Sequence, residues 1–291
     1  MSSRRADTAH LIGADKSRLK RSFAWAKSSL LDALYRSRIA IIPEWRLGTF
    51  PFVQHVRAVF SQRNIDMVLD VGANVGGFSQ MLRKQVGFHS QIVSFEPVSS
   101  SFARLRARAA SDTKWSVHQI ALGSAAATAT INVTTASEFA SFLSPKETNL
   151  FPEWNRVERR ETASVCRLDD FMLANHIDPK RAYLKIDTQG FDLEVLKGCT
   201  GIINVLEAIQ VELSFRPIYK ETPSYIEVLS VLSRMGFVIS GMYPINLTNM
   251  MAIEMDCILV RDTGDDPLRT VTNASLVKRG VLIPRALKRP S

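Results

Sequence analysis

Apolar residues along this chain form short continuous runs, separated by stretches in which they recur every three or four residues. The first pattern predicts buried strands and the second amphipathic helices. Runs at Met67–Val71, Gln91–Phe95, Trp115–Ala121, Arg181–Ile186 and Ala208–Leu213 read as strands, with Phe237–Met242 and Met255–Val260 as the last two. Helical spacing fills the gaps at Gly76–Gln85, Ser99–Ala110, Leu168–His176, Phe191–Lys197 and Tyr225–Met235. Thr128–Val133 alternates polar and apolar residues and predicts an additional strand, whereas residues 134–161 look loop-rich. Strands alternating with helices predict an α/β fold, with a mostly parallel sheet covered on both faces. Such sheets bind ligands beyond the carboxyl ends of their strands, at the switch point in strand order.

Ahead of this alternation the pattern changes. Residues 1–15 are polar, basic and aperiodic, and read as disordered. Leu19, Phe23, Ala26, Leu30 and Leu34 then define an apolar stripe on a helix from Lys16 to Ile39; Pro43 interrupts, and a short helix is expected over Pro51–Gln62. The expected division is a basic N-terminal extension with an amphipathic helix over residues 1–60, one α/β domain over 61–262 and a basic tail over 263–291. A chain of 291 residues with 46% hydrophobic composition suffices for one sizeable core.

Charge changes the picture at the two ends. The formal net charge is +9, with Lys16, Arg18, Lys20, Arg21 and Lys27 near the start and Lys278, Arg279, Arg285, Lys288 and Arg289 near the end. Basic ends serve solubility, an anionic membrane surface or nucleic acid. The stripe on the first helix fits either docking on the core or peripheral contact with an anionic membrane. No run approaches the ~20 apolar residues needed to span a bilayer. Cys166, Cys199 and Cys257 are odd in number and widely spaced, with no CxxC or Cys/His cluster. Together with the lack of a secretory leader they fit a cytoplasmic protein without a zinc site.

The strongest local signal is VLDVGANVGGFS, Val68 to Ser79. A strand ends at Asp70 and a glycine-bearing turn opens a helix. Gly72 allows backbone angles that a side chain forbids, and Gly76 is expected to let a ligand approach the helix start, where free N–H groups favour a carboxylate. Glu96, at the end of the next strand, lies about 20 residues further on, the spacing at which an acidic residue accepts hydrogen bonds from a ribose diol. An ordinary strand–turn–helix would look similar. A nicotinamide enzyme would show GxGxxG, but Asn74 stands at the middle glycine. The pattern points instead to S-adenosylmethionine.

At this point the chain resembles the FkbM family of S-adenosylmethionine-dependent methyltransferases. The resemblance covers residues 66–261 and rests on an ordered set: DVGANVGGFS, SFEP, ALG at Ala121–Gly123, RLDDF at Arg167–Phe171, LKIDTQGFDLEVLKG at Leu184–Gly198, VELSFRPIY at Val211–Tyr219 and the late Met255-Asp256 strand. It implies a class I methyltransferase, Rossmann-like fold and transfer to hydroxyls of sugars, glycans or secondary metabolites. It also implies that Asp70, Gly72, Asn74 and Gly76 line the methionine end of the cofactor, Glu96 its ribose, and the stretch through Ala121 and Leu122 its adenine. Where the family's KID-x-x-G-x-E stretch has Glu, this chain has Asp192, one methylene shorter.

Chemistry on the acceptor side is expected at the end of the strand Leu184–Ile186. Lys185 and Asp187 are two apart and share a face, so they are placed to pair. Asp187 either holds scaffold, orients cofactor or takes the acceptor's proton, with Glu212 and then His118 as further candidate bases. Arg216 and Tyr219 are candidate substrate contacts. Asp187, Asp192 and Glu212 are oxygen donors suited to Mg²⁺, but nothing local fixes three around one ion, so no metal is expected. Neither [DN]PP[YFW] nor a Pro-Cys pair occurs, which disfavours a nucleic-acid acceptor. RNA methylation, or binding by a fold that has lost its chemistry, are the alternatives. Acceptor specificity is expected in the connections 134–161, 216–224 and 243–254, with Ser137–Pro145 covering the site.

Overall fold

The computed structural model describes residues 48–147, 150–248 and 250–264. The helix expected over Lys16–Ile39 and the basic tail lie outside the described residues. Two compact units divide the chain, Met1–Pro51 and Phe52–Ser291, and the fold is that of the second. Helix α1 (Phe50–Gln62) leads into it and buries Val53, Val56, Val59 and Phe60, spaced along one helical face.

The elements follow in the expected alternation: β1 (Met67–Val71), α2 (Gly77–Met81), β2 (Gln91–Phe95), α3 (Ser99–Ala109), β3 (Trp115–His118), β4 (Ala121–Leu122), β5 (Ala127–Thr134), β6 (Val157–Cys166), α4 (Leu168–Ala174), β7 (Ala182–Ile186), α5 (Asp192–Lys197), β8 (Leu206–Ser214), α6 (Tyr225–Arg234), β9 (Phe237–Thr248) and β10 (Met251–Arg261). Seven strands form one sheet in the order β3-β2-β1-β7-β8-β10-β9. All neighbours from β3 to β8 run parallel, and β10 is antiparallel to both β8 and β9. The chain reverses its direction of travel across the sheet between β1 and β7, which is the switch point. This is the class I methyltransferase fold.

Both faces of the sheet are covered, and this explains the uninterrupted apolar runs. Successive residues of one strand enter different cores: Leu69, Val71, Val93, Phe95, Leu184 and Ile186 pack on one face. Val68, Ile92 and Tyr183 pack on the other. At about 25 cal/mol per Å² of apolar surface buried, these two layers dominate the folding free energy.

Four elements differ from the expectation. The helix after β1 is α-helical only to Met81, and Leu82–Val86 forms a π-helical turn capped by Gly87 at φ 81°. The run Trp115–Ala121 is split: β3 joins the main sheet and β4 pairs with β6 in a second sheet of order β4-β6-β5. Strand β6 lies partly inside the segment read as loop, because only Ala163 and Val165 along it are buried and Arg and Glu fill its exposed positions. Strands β9 and β10 extend far beyond their apolar runs into a hairpin. No helix among the described residues is long and apolar enough to cross a membrane.

Candidate active site

The turn after β1 is shaped by contacts within the protein. Gly72 sits at φ 73°, and a Cβ there would lie 1.9 Å from the Asp187 carbonyl oxygen. This close approach locks the ends of β1 and β7 together, with the Asp187 N–H donating to the Val71 carbonyl at 3.0 Å. Gly76, at φ 82°, makes room within the protein: a Cβ would meet Leu105 at 2.8 Å and the Trp115 ring at 3.0 Å, so the glycine lets helix and strand pack. Asp70 is fully buried and accepts from Ser79 Oγ at 2.7 Å, while Lys185 Nζ lies 3.8 Å from its other oxygen. Burial pushes the Asp70 pKa up, against the pull of Lys185 and Ser79.

Asn74 and Glu96 form a hydrogen-bonded pair beside this turn. The Asn74 N–H donates to Glu96 Oε2 at 2.7 Å, from a left-handed backbone at φ 46°. The Val98 N–H donates to Glu96 Oε1 at 2.9 Å. Glu96 is only 5% exposed, and burial raises its pKa to about 7 against these two hydrogen bonds. Asn74 Oδ1 is buried without a hydrogen-bond partner among the described residues.

Both residues line a cavity of about 600 Å³ at the carboxyl ends of the parallel strands, within the usual range for ligand pockets. Gly72, Asn74, Glu96, Ala121 and Leu122 line one end of it, and Asp187, Gln189, Gln210, Glu212, Glu254 and Asp256 the other. The cavity therefore straddles the switch point. Phe139 to Phe142 and Trp154 cover it from the connection between β5 and β6.

The second end is a network of side chains. Lys185 Nζ donates to Asp187 Oδ2 at 3.0 Å and lies 5.3 Å from the centre of the Phe78 ring. Burial alone would lower the lysine's pKa, but Asp187 and Asp70 outweigh it and hold the ammonium above its ordinary value. Gln189 Nε2 donates to Asp187 Oδ1 at 3.1 Å and Glu212 Oε1 at 3.2 Å, placing one neutral donor between two carboxylates. Burial, then Asp187, Glu254 and Asp256, push Glu212 well above the usual carboxylate range. Tyr183 donates to Gln210 Oε1 at 2.8 Å, and Gln210 Nε2 donates to Asp256 Oδ1 at 2.8 Å. Asp256 is raised to about 6, chiefly by burial.

Of the residues expected at the site, Gly72, Asn74, Glu96, Ala121, Leu122, Asp187 and Glu212 line the cavity, whereas Asp70, Gly76 and His118 stand behind it. The His118 ring packs 5.8 Å from Phe95 and 4.8 Å from Phe171, and burial lowers its pKa. Asp192 accepts from Thr188 Oγ1 at 2.7 Å and so holds the turn after β7. Tyr219 reaches the Phe139 carbonyl at 2.8 Å and Gln189 Oε1 at 3.1 Å, while Arg216 is exposed. Gln189, Gln210, Glu254 and Asp256 were not expected; for the last three, the alternation of polar residues within strands β8 and β10 was the available signal. Among the described residues no group of three or more His, Cys, Asp or Glu is arranged to hold a metal ion.

Comparison with known proteins bears on this geometry. The model of the methyltransferase FkbM domain matches residues 70–239, more than half of the chain. Among solved structures, an FkbM methyltransferase from Methylobacillus flagellatus KT shares 14% identity with a TM-score of 0.42, over 66% of this chain and 43% of that one. This chain thus spans less than half the length of that protein. An rRNA methylase from Streptococcus thermophilus shares 11% identity at a TM-score of 0.41, covering 77% of this chain and all (100%) of that one. A magnesium protoporphyrin IX methyltransferase from Synechocystis PCC 6803, with bound S-adenosylmethionine, shares 12% identity at 0.40, covering 75% and 82% of the two chains. No curated protein sequence matches. By the span of the matched domain, which runs from the β1 turn into β9, the chain belongs to the FkbM family of S-adenosylmethionine-dependent methyltransferases.

Proposed function

We propose that the protein transfers the methyl group of S-adenosylmethionine to a hydroxyl oxygen of a sugar, glycan or other small metabolite. The observation that carries the reading is the division of one cavity at the switch point, with Glu96 and Asn74 at one end and a carboxylate–amide wall at the other. The residues present fit the cofactor. Each Glu96 oxygen is already fixed by one backbone N–H and retains acceptor capacity for a ribose diol. The unpartnered Asn74 Oδ1 is the kind of buried acceptor that a ligand donor satisfies. Gly72 and Asn74 would hold the methionine end, Ala121 and Leu122 the adenine.

Bound S-adenosylmethionine supplies an electrophilic methyl group on a sulfonium. With the cofactor held by Gly72, Asn74 and Glu96, its sulfonium would supply the methyl group and leave as the neutral thioether, and Asp187 would take the proton released from the acceptor hydroxyl. Lys185 and Gln189 fix that carboxylate on two sides, so it meets the hydroxyl in one orientation. Glu212, whose pKa burial and the neighbouring carboxylates push upward, positions acceptor oxygens by hydrogen bonding. His118 takes no part.

The class I fold serves methylation of RNA and of small molecules alike, and the choice between them rests here on charge. Among the described residues the lining carries Glu96, Glu138, Asp187, Glu212, Glu254 and Asp256 but one cation, Lys185, already engaged by Asp70 and Asp187. This supports an uncharged acceptor over a phosphate-rich one. The test is transfer from labelled cofactor into fractions of cell extract. Label is expected in a glycan or small-molecule fraction as an alkali-stable methyl ether, and Asp187→Asn should lower that transfer by about 10²–10⁴-fold, the usual worth of a proton acceptor, with cofactor affinity held. Label confined to RNA, or full turnover in Asp187→Asn, overturns the reading.

A further inference from the structure

One aromatic residue at the cavity is placed unlike the others. Trp154 lines the cavity yet is 55% exposed. Its indole lies parallel to the Phe151 ring, with centres 6.0 Å apart and planes 10° apart, and Phe151 packs on Phe139 at 5.5 Å. The Phe151 ring thus stacks on the indole, while more than half of the Trp154 surface stays open. The position is held by backbone: Ala136 N–H donates to the Trp154 carbonyl at 3.0 Å, Thr135 N–H to the Arg156 carbonyl at 3.0 Å, and Asn155 N–H to the Phe151 carbonyl at 2.9 Å. An indole stacked on the protein, on a backbone pinned by these bonds and open at a cavity's lining, offers an aromatic surface to a ligand entering the cavity.

The neighbouring groups select what binds there. A pyranose presents a face of polarised C–H bonds, which the electron-rich face of an indole attracts, and a rim of hydroxyls, which carboxylates and amides bind in pairs. The lining supplies both parts: Trp154 at the mouth and Gln189, Gln210, Glu212, Glu254 and Asp256 within. A nucleobase would also stack on an indole, but its phosphates would face the acidic lining. We propose that Trp154 is the platform of a sugar subsite, on which a neutral pyranose ring of the acceptor stacks as its hydroxyls enter the cavity. This rests on the hydroxyl-acceptor reading and names the acceptor's class.

The experiment uses the full chain carrying ¹⁵N-labelled indoles, saturated with S-adenosylhomocysteine. The Trp154 resonance is assigned by its loss in Trp154→Phe. The probes are methyl pyranosides of glucose, galactose, mannose and rhamnose, with oligouridylate and phenol as competitors of other classes. At least one pyranoside should shift the Trp154 resonance saturably, and Trp154→Ala should weaken that pyranoside at least tenfold, with Trp154→Phe recovering most of the loss. Cofactor affinity should stay within twofold in both variants. Response to oligouridylate or phenol alone, response to none of the probes, or a tenfold loss of cofactor affinity in Trp154→Ala overturns the subsite. The two readings fail separately. Pyranoside stacking without any methyl ether from labelled cofactor leaves the subsite standing and removes O-methylation. Methyl ether formation that is indifferent to Trp154→Ala does the reverse.

Discussion

The two ends of the cavity hold their polar groups by opposite means. At the β1–β2 end, backbone does the holding: two N–H groups fix Glu96, and the turn that presents one of them, from Asn74, is set by glycines packed against Asp187, Leu105 and Trp115. At the β7–β10 end, side chains hold one another: Lys185, Gln189 and Gln210 join carboxylates contributed by three strands. A backbone-held group depends on chain path, and chain path is written in a short string. A side-chain network depends on which strands lie adjacent. The first end suits an invariant ligand such as a cofactor. The second can be rewritten one residue at a time, as an acceptor site requires.

The largest test of this contrast is Gly72→Ala. The added methyl overlaps a backbone oxygen, and the positive φ is strained for any side chain, so the cost should be on the order of 4 kcal/mol. Against a total stability of about 5–15 kcal/mol, chemical denaturation should show a protein close to unfolding. A wild-type melt would mean that backbone does not join the two ends.

A smaller effect is expected at Glu96. Glu96→Ala should weaken S-adenosylmethionine by on the order of 1.5–3 kcal/mol, the worth of charged hydrogen bonds, with the fold intact by circular dichroism. The pH dependence sharpens it. The folded pKa, about 7, stands above the ordinary 4.5, so the apo protein binds a proton there more tightly than the unfolded chain does. The associated stability is fully present below about 4.5 and is lost as pH rises through about 7. Cofactor affinity should rise over the same interval as the carboxylate ionises, by calorimetry. A flat profile in wild type, or the same slope in Glu96→Gln, removes Glu96 from the diol.

His118→Gln should do least. Its ring contacts are worth on the order of 1 kcal/mol, visible as a small drop in melting midpoint, with turnover and cofactor affinity unchanged. A loss of turnover would move the chemistry to the β3 side of the sheet.

The same contrast governs how much the sequence discloses. Strands β1, β2, β7 and β8 are legible because burial on both faces selects mostly apolar residues, with the few polar ones such as Asp70, Lys185 and Gln210 held by partners. Glu96 is legible by its spacing of about 20 residues past the β1 turn, and Asp187 because it ends such a run ahead of Gly190. Gln210, Glu254 and Asp256 are not, since the hydrogen bond from Gln210 reaches 46 residues along the chain and exists only once β10 inserts beside β8. His118 misleads for a related reason: a histidine ending a strand points to the cavity or away from it according to register, and here it faces Phe95 and Phe171. Gly76 packs against Leu105 and Trp115, neighbours that the sequence does not name, because a glycine reports a close approach without saying what approaches.

The cover over the cavity has a consequence for anyone wishing to redirect this enzyme. Lys146 N–H donates to the Ile218 carbonyl, Lys220 N–H to the Ser144 carbonyl, and the Tyr219 hydroxyl reaches the Phe139 carbonyl. Two segments more than 70 residues apart in the chain, by the separation of 80 between Phe139 and Tyr219, are thereby stitched into one piece of surface. A loop graft that imports the first segment from a relative leaves the second addressed to carbonyls that have moved. Retargeting should therefore transplant residues 137–147 and 218–220 together, and natural divergence of acceptor choice should have had to carry both along.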